Sequence, residues 1–273
     1  LTNIVSLHAA GLAFAAMLAN GAVVSWGIAA SGGTLPPEIG ALADIVDVRG
    51  NLGGFMALRA NKHVVAWGGG PYDNGVPAVI AARSDIMELA SATIHAFAVR
   101  TDKHEVLAWG HADFGGTVPA DIAALSDVEE VVATQSAFCA RRANGAVVAW
   151  GNSAQGGTVP QAVAVLNNIV HVASNWGAFA ALCSDGTVVA WGMPAIGGST
   201  ATVAPQLVNV RAIYSNTEAF AAVLEDGGVV TWGVAAAGGD STAVKPILDS
   251  GLTYEATSAV RGRALTALAL QMR

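Results

Sequence analysis

Ten residues scattered along this 273-residue chain carry the chemistry of recognition: Trp176, Phe114, Tyr72 and Ile94, with Leu52, His95, His111, Asp113, Gln135 and Asn175 beside them. Large aromatic and branched side chains ringed by hydrogen-bonding groups make up a protein–protein hot spot, where a few anchors are desolvated at the centre. Trp176 and Tyr72 could also stack on sugar rings, so a glycan is a second ligand class. Against both stands a plain reading in which Trp176 plugs a tunnel or covers a sheet end, since tryptophan is highly buried on average.

Bond-making chemistry finds little footing. The six histidines are scattered, and His63 and His104 stand without a cysteine or carboxylate at metal-ligand spacing. The run Gly68-Gly-Gly-Pro-Tyr-Asp-Asn-Gly lacks the Lys-Ser/Thr pair and the strand-to-helix setting of a phosphate loop. Ser153, in Gly-Asn-Ser-Ala-Gln-Gly, is not a nucleophile elbow. Glu129 and Glu130 are adjacent, and a strand sends neighbours to opposite faces, so they cannot work as an acid–base couple. The expectation is a non-enzymatic protein with no metal and no cofactor.

The elements that must position these residues come from a repeat. Six Trp-Gly pairs begin at Trp26, Trp67, Trp109, Trp150, Trp191 and Trp232, at intervals of 41, 42, 41, 41 and 41 residues. A period that regular is one structural unit copied along the chain. In the fifth unit the apolar stretches are 166–173, 179–182 and 185–192, and they alternate or run short, with no 3.6-residue period over three turns. Asx-Gly pairs (Asn20-Gly21, Asn144-Gly145, Asp185-Gly186, Asp226-Gly227) separate the second and third stretches. These predict two-residue type I′ hairpins. Asn61-Lys62 lacks the glycine, and Asp102-Lys103-His104-Glu105 is one residue longer, which accounts for the interval of 42.

Asn3, Asp44, Asp85, Asp127, Asn168 and Asn209 precede the first strands, where their side chains are expected to bond nearby backbone N–H groups. Prolines at 36, 77, 119, 160, 205 and 246 mark a tail that reads as a short outer strand. Four strands in about 41 residues is a propeller blade. The recurring tryptophans are expected to be core, each locking one blade to the next.

Bulk composition agrees. Hydrophobic content is 53% and mean hydropathy +0.50, yet no apolar run approaches the ~18 residues of a spanning helix. A soluble chain without membrane insertion is expected. Net charge is −7 with only three lysines, and no basic stripe suggests nucleic acid. Cys139 and Cys183 lie three residues out of phase in adjacent units, so no disulfide is expected.

The motifs Asx-Gly-x-Val-Val-Ala-Trp-Gly, Gly-Gly-x-Val-Pro and Phe-Ala-Ala-Leu resemble the regulator of chromosome condensation repeat, within it the bacterial branch like beta-lactamase inhibitory protein II. The resemblance spans nearly the whole chain. It implies an all-β, seven-bladed β-propeller that recognises other proteins across one rim. In that bacterial branch aromatic residues of the matching loops carry binding, which points to Trp176 and Phe114. Here the first-strand pattern occurs seven times and the Trp-Gly arm six. We expect one domain over residues 1–273, six full repeats plus a half repeat at 249–273. A chain opening at Leu1 without a methionine reads as a fragment of a larger bacterial surface or secreted protein. The incomplete seventh blade would leave an edge open to self-association.

Within a blade, the loop between strands one and two shares a rim with the loop after strand three. That rim varies from unit to unit, while the Asx-Gly rim is monotonous; variation on one rim of a uniform scaffold is how loop-borne recognition is built. The expected partner is a protein, bound by an interaction module or by a free-standing inhibitor of a target enzyme. Nucleotide exchange ranks last, because it rests on fold analogy alone.

Overall fold

A computed structural model describes residues 3–69 and 75–248. They form six three-stranded antiparallel sheets, each a meander in chain order. The sheets are Ile4–Ala9, Ala13–Leu18, Val23–Gly27 (sheet 1); Ile45–Gly50, Gly54–Arg59, Val64–Gly68 (sheet 2); Ile86–Ala92, Ala96–Thr101, Val106–Gly110 (sheet 3). They continue as Val128–Ala133, Ala137–Arg142, Val147–Gly151 (sheet 4); Ile169–Ser174, Ala178–Cys183, Val188–Gly192 (sheet 5); and Val210–Ser215, Ala219–Leu224, Val229–Gly233 (sheet 6). First strands of consecutive sheets touch one another, so they lie innermost in a propeller arrangement. The expected half repeat at 249–273 lies outside the described residues.

Among the described residues the core is divided into five layers, each between neighbouring sheets. Between sheets 5 and 6, for example, Ala178, Ala180 and Leu182 pack against Val210, Ile213, Phe220 and Trp232. Alanine on the covering face lets the aromatic pair of the next sheet come close. Phe179 and Trp191 pack ring against ring at 5.3 Å, and the Trp191 Nε1–H donates to the Gly156 carbonyl of the preceding unit at 3.0 Å. The same bond joins Trp67 to Gly32, Trp150 to Gly115 and Trp232 to Gly197. Gly156 has φ +95°, and a Cβ there would stand 2.6 Å from Phe179 Cδ2, so two constraints fix glycine at that point.

Four expectations need correcting. The proline tail is not a strand: Pro36, Pro77, Pro119 and Pro160 cap the short helices Pro37–Gly40, Ala78–Ala81, Ala120–Ala123 and Gln161–Ala164. Pro205 lies within the 3-10 turn Ala204–Gln206 and Pro246 within the helical turn Lys245–Leu248. Proline's fixed φ and missing N–H suit a helix start as well as a sheet edge, and here the helix start prevails.

The hairpins stand where Asx-Gly predicts them but with a different turn. Only Gly21, Gly145, Gly186 and Gly227 take positive φ; the preceding Asx does not. Gly21 N donates to Leu18 O at 2.9 Å and Ala22 N to Asn20 Oδ1 at 3.1 Å, a turn followed by one left-handed residue. Lys62 (φ 65°) and His104 (φ 58°) hold that left-handed place where glycine is missing.

The Asp residues before the first strands use their side chains on arginine instead of on backbone. Asp44 accepts from Arg59, Asp85 from Arg83 and Asp127 from Arg142. Their backbone carbonyls, with those of the Asn counterparts, take the N–H of the residue following strand two, as in Ala60 N to Asp44 O at 2.7 Å.

Finally, Trp26 is not core. It is 43% exposed, whereas Trp67, Trp109, Trp150, Trp191 and Trp232 are 2–3% exposed, because no described sheet precedes sheet 1. Cys139 and Cys183 are both free and buried.

Candidate functional site

The variable loops share one rim. The loop after strand three is tied back to the loop between strands one and two by His111 N to His95 O, Asn152 N to Ser136 O and Met193 N to Gly177 O, each at 2.9 Å. A second set of bonds runs from unit to unit. Gly11 N donates to Asn51 O (3.2 Å), Leu52 N to Ile94 O (3.2 Å), Ile94 N to Gln135 O (3.0 Å), Gln135 N to Trp176 O (2.8 Å) and Trp176 N to Thr217 O (3.1 Å). Four of the ten candidate residues, Leu52, Ile94, Gln135 and Trp176, therefore stand side by side on one hydrogen-bonded arc. With the backbone N–H and carbonyl of Ile94, Gln135 and Trp176 spent on neighbours, their side chains are what the rim can offer.

Around this arc the other candidates divide. Trp176 is 47% exposed. His95 sets its ring edge-on against Phe114 at 4.8 Å, and His111 does the same at 5.3 Å. His111 Nδ1 also accepts from the Asp113 N–H at 3.3 Å. His95, Phe114, His111 and Asp113 thus form one cluster next to Ile94. Phe114 is only half available, because its inner side packs against the layer between sheets 3 and 4. Burial, helped by the neighbouring His111, lowers the pKa of His95, which keeps its ring neutral at neutral pH.

Asn175 is a brace. It is 8% exposed, its Oδ1 accepts from Gly177 N (3.1 Å) and Ala178 N (2.9 Å), and its Nδ2 donates to Ile196 O (2.5 Å). Asn51, Thr93 and Thr134 occupy the same place in their units; the hydroxyls of Thr93 and Thr134 reach Phe114 O and Gln155 O at 3.0 Å. Thr93, Thr134 and Asn175 thereby set how the two loops of their units meet. Tyr72 lies outside the described residues.

Two exposed side chains escaped the sequence reading. Met193 lies over Gly177, where a Cβ would meet its Sδ at 2.7 Å, and so borders the residue next to Trp176. Tyr214 is exposed on the innermost strand of sheet 6, where the fifth unit has Ala173. An aromatic replacing a small residue in an otherwise uniform repeat was the signal for Tyr214. Met193 had a weaker one, a lone long apolar side chain directly after Trp191-Gly192.

The opposite rim carries charge. Glu130 accepts from Arg141 Nε at 3.2 Å and sits 3.5 Å from His171 Nδ1 of the next sheet; Glu129 points elsewhere, to His104 at 3.4 Å. Burial alone would raise the Glu130 pKa, but hydrogen bonds from His171 and Arg141 outweigh it and hold the pKa below the usual glutamate value. The two glutamates part company as a strand requires.

No family model and no curated protein matches the chain. Solved structures do. The chain is similar to the ectodomain of the Physcomitrella patens receptor kinase CR4 (18% identity, TM-score 0.56, 85% of this chain and 64% of that one). It is similar to Prp20p of Saccharomyces cerevisiae, whose binding to Gsp1p and histones has been described (16%, 0.53, 84% and 72%). Human WBSCR16 is a third (19%, 0.54, 85% and 77%). The chain thus spans less than two thirds of the CR4 ectodomain. At these identities the likeness is one of fold: the chain has an all-β propeller fold like that of yeast RCC1 (Prp20).

Proposed function

We propose that the chain is a non-enzymatic binding scaffold that recognises a partner protein through the variable rim, with Trp176 as its anchor. The observation that carries this reading is the 47% exposure of Trp176, whose backbone N–H and carbonyl are both bonded to neighbouring units. A half-exposed indole held by fixed backbone loses little freedom on binding, which is what makes an anchor effective. Leu52, Ile94 and Gln135 continue the surface along the arc, and the His95–Phe114–His111–Asp113 cluster gives it a polar border. Protein binding by Prp20p, a propeller of similar fold, supports the same use of the scaffold. Likeness to the bacterial inhibitory branch adds a finer reading, in which the partner is an enzyme capped by the rim. The test is comparative capture. Immobilised chain and its Trp176→Asp variant, both checked for fold by circular dichroism, are offered the same protein extracts and a glycan array. A protein held only by the unmodified chain supports the reading; a glycan held in the same way replaces it.

A further inference from the structure

The third strand of sheet 4, Val147–Gly151, is the outer strand of its unit, and its ladder shows which backbone groups look outward. Arg142 N donates to Ala146 O and Asn152 N to Ser136 O, both at 2.9 Å. Between them the register pairs Arg141 with Val147, Ala140 with Val148, Cys139 with Ala149 and Phe138 with Trp150. Bonded and non-bonded pairs alternate in an antiparallel ladder. Val148 and Trp150 therefore spend their N–H and C=O groups on the middle strand, while Val147 and Ala149 turn theirs away from the sheet. None of those outward groups meets a partner among the described residues. The tail that follows turns into the short helix Gln161–Ala164 and adds no fourth strand to this edge.

Beside that edge lies a cleft of about 280 Å³. Asp121 and Ile122, on the helix that leads into sheet 4, form one wall; Thr158, Val159 and Ala164 of the following tail form the other. The structure assigns a second binding surface to this outer edge, where an extended, basic segment of a partner protein adds as a fourth strand. The backbone specifies the extended form. A helix consumes its own N–H and C=O groups, whereas a strand presents them at the spacing that Val147 and Ala149 require. From Val147 to Ala149 is roughly 7 Å at ~3.3–3.4 Å per residue, a match for three residues of an added strand. Side chains of that strand alternate, so one set falls toward Ile122 and Asp121 and the other toward Val159 and Ala164. The aliphatic neighbours suit small or β-branched residues. The Asp121 carboxylate is exposed and in no ion pair among the described residues, so it calls for a lysine or arginine on its side of the strand. The site lies between sheets 3 and 5 on the circumference of the propeller, apart from the variable rim that carries Trp176.

The test selects a displayed library of random heptapeptides on the full chain and measures the enriched peptides against variants. Ala149→Pro removes an outward N–H that the ladder does not use, so an edge strand tolerates it. Enriched peptides should carry alternating β-branched residues and a lysine or arginine. Their affinity should fall at least ~tenfold on Ala149→Pro, the effect of leaving a peptide carbonyl unpaired. Asp121→Lys, an exposed change, should reject them as well, and Trp176→Asp should leave them bound. Peptides N-methylated at alternate amides should lose binding, because their side chains remain while the ladder cannot form. Should Ala149→Pro fail to fold by circular dichroism, amide exchange in the unmodified complex decides, and the Ala149 N–H should be protected at least ~tenfold. A library that yields no such peptide overturns the proposal. So does equal binding to Ala149→Pro, undiminished affinity after N-methylation, or an unprotected Ala149 N–H in the complex. Peptides lost on Trp176→Asp instead would belong to the variable rim and overturn it too.

Discussion

Trp191 and Gly156, 35 residues apart, are joined by an indole N–H to carbonyl bond of 3.0 Å, with the Phe179 ring seated against the same glycine. That contact explains why tryptophan, phenylalanine and Gly-Gly recur together: one unit contributes the bend and the next contributes the rings that close on it. Each tryptophan belongs energetically to the preceding unit as much as to its own.

Trp150→Ala and Trp26→Ala should therefore differ sharply although both remove a tryptophan from the same repeat position. Loss of Trp150 leaves a large cavity and an unpaired Gly115 carbonyl. A cost of about 3–5 kcal/mol is expected, against about 1 or less at half-exposed Trp26. Denaturant melts of the two variants check this.

Gly156→Ala and Gly238→Ala share one backbone conformation, φ +95° and +96°, but not one environment. At Gly156 the new Cβ meets Phe179 Cδ2 at 2.6 Å; at Gly238 the nearest atom is Asn216 Nδ2 at 3.7 Å. Both should lose about 1 kcal/mol to the left-handed backbone, and Gly156→Ala about 1–3 kcal/mol more through overpacking. Equal losses in thermal melts would show that the ring does not seat on the glycine.

Much of the architecture was legible because it is periodic. Trp-Gly at steps near 41 residues fixed the unit, and the Asx-Gly pairs placed four of the six hairpins between the second and third strands. What was misread depends on context that a single unit does not contain. Proline at 36, 119 and 160 satisfies an outer strand and a helix cap equally, and only the path of the following residues decides. Asn20 can adopt the left-handed conformation, but its Oδ1 does more by accepting Ala22 N–H. Trp26 carries the same local sequence as its counterparts and differs only in what stands before it. On the rim, the variable positions were visible from comparison of units, whereas Asn175 looked like a contact residue because its partners Ile196 and Ala178 are distant or backbone atoms.

Asn175→Ala should separate brace from anchor. Losing a buried side chain that makes three hydrogen bonds is expected to cost about 1–3 kcal/mol. Trp176→Asp, at an exposed position, should change stability by about 0.5 kcal/mol or less. Chemical denaturation of the pair measures both.

Glu130 makes stability depend on acid. Its pKa is depressed in the folded state, so the unfolded chain, with glutamate near 4.3, takes up the proton first as pH falls. The contribution is fully present above the unfolded value and is lost as pH drops through the folded one. Glu130→Gln should therefore lower stability at neutral pH and flatten its decline below about pH 5. Urea midpoints measured from pH 7 to pH 3 should show the two curves converging on the acid side.

The central claim is that the variable rim, and Trp176 on it, is where this scaffold meets another protein. The most direct measurement is paired capture by the unmodified chain, by Trp176→Asp, and by Asn144→Arg on the Asx-Gly rim as a control. The account predicts a protein retained by the unmodified chain and by Asn144→Arg and lost, by at least ~100-fold in affinity, with Trp176→Asp, the loss a hot-spot anchor gives. Retention unchanged by Trp176→Asp, or abolished by Asn144→Arg alone, would contradict it.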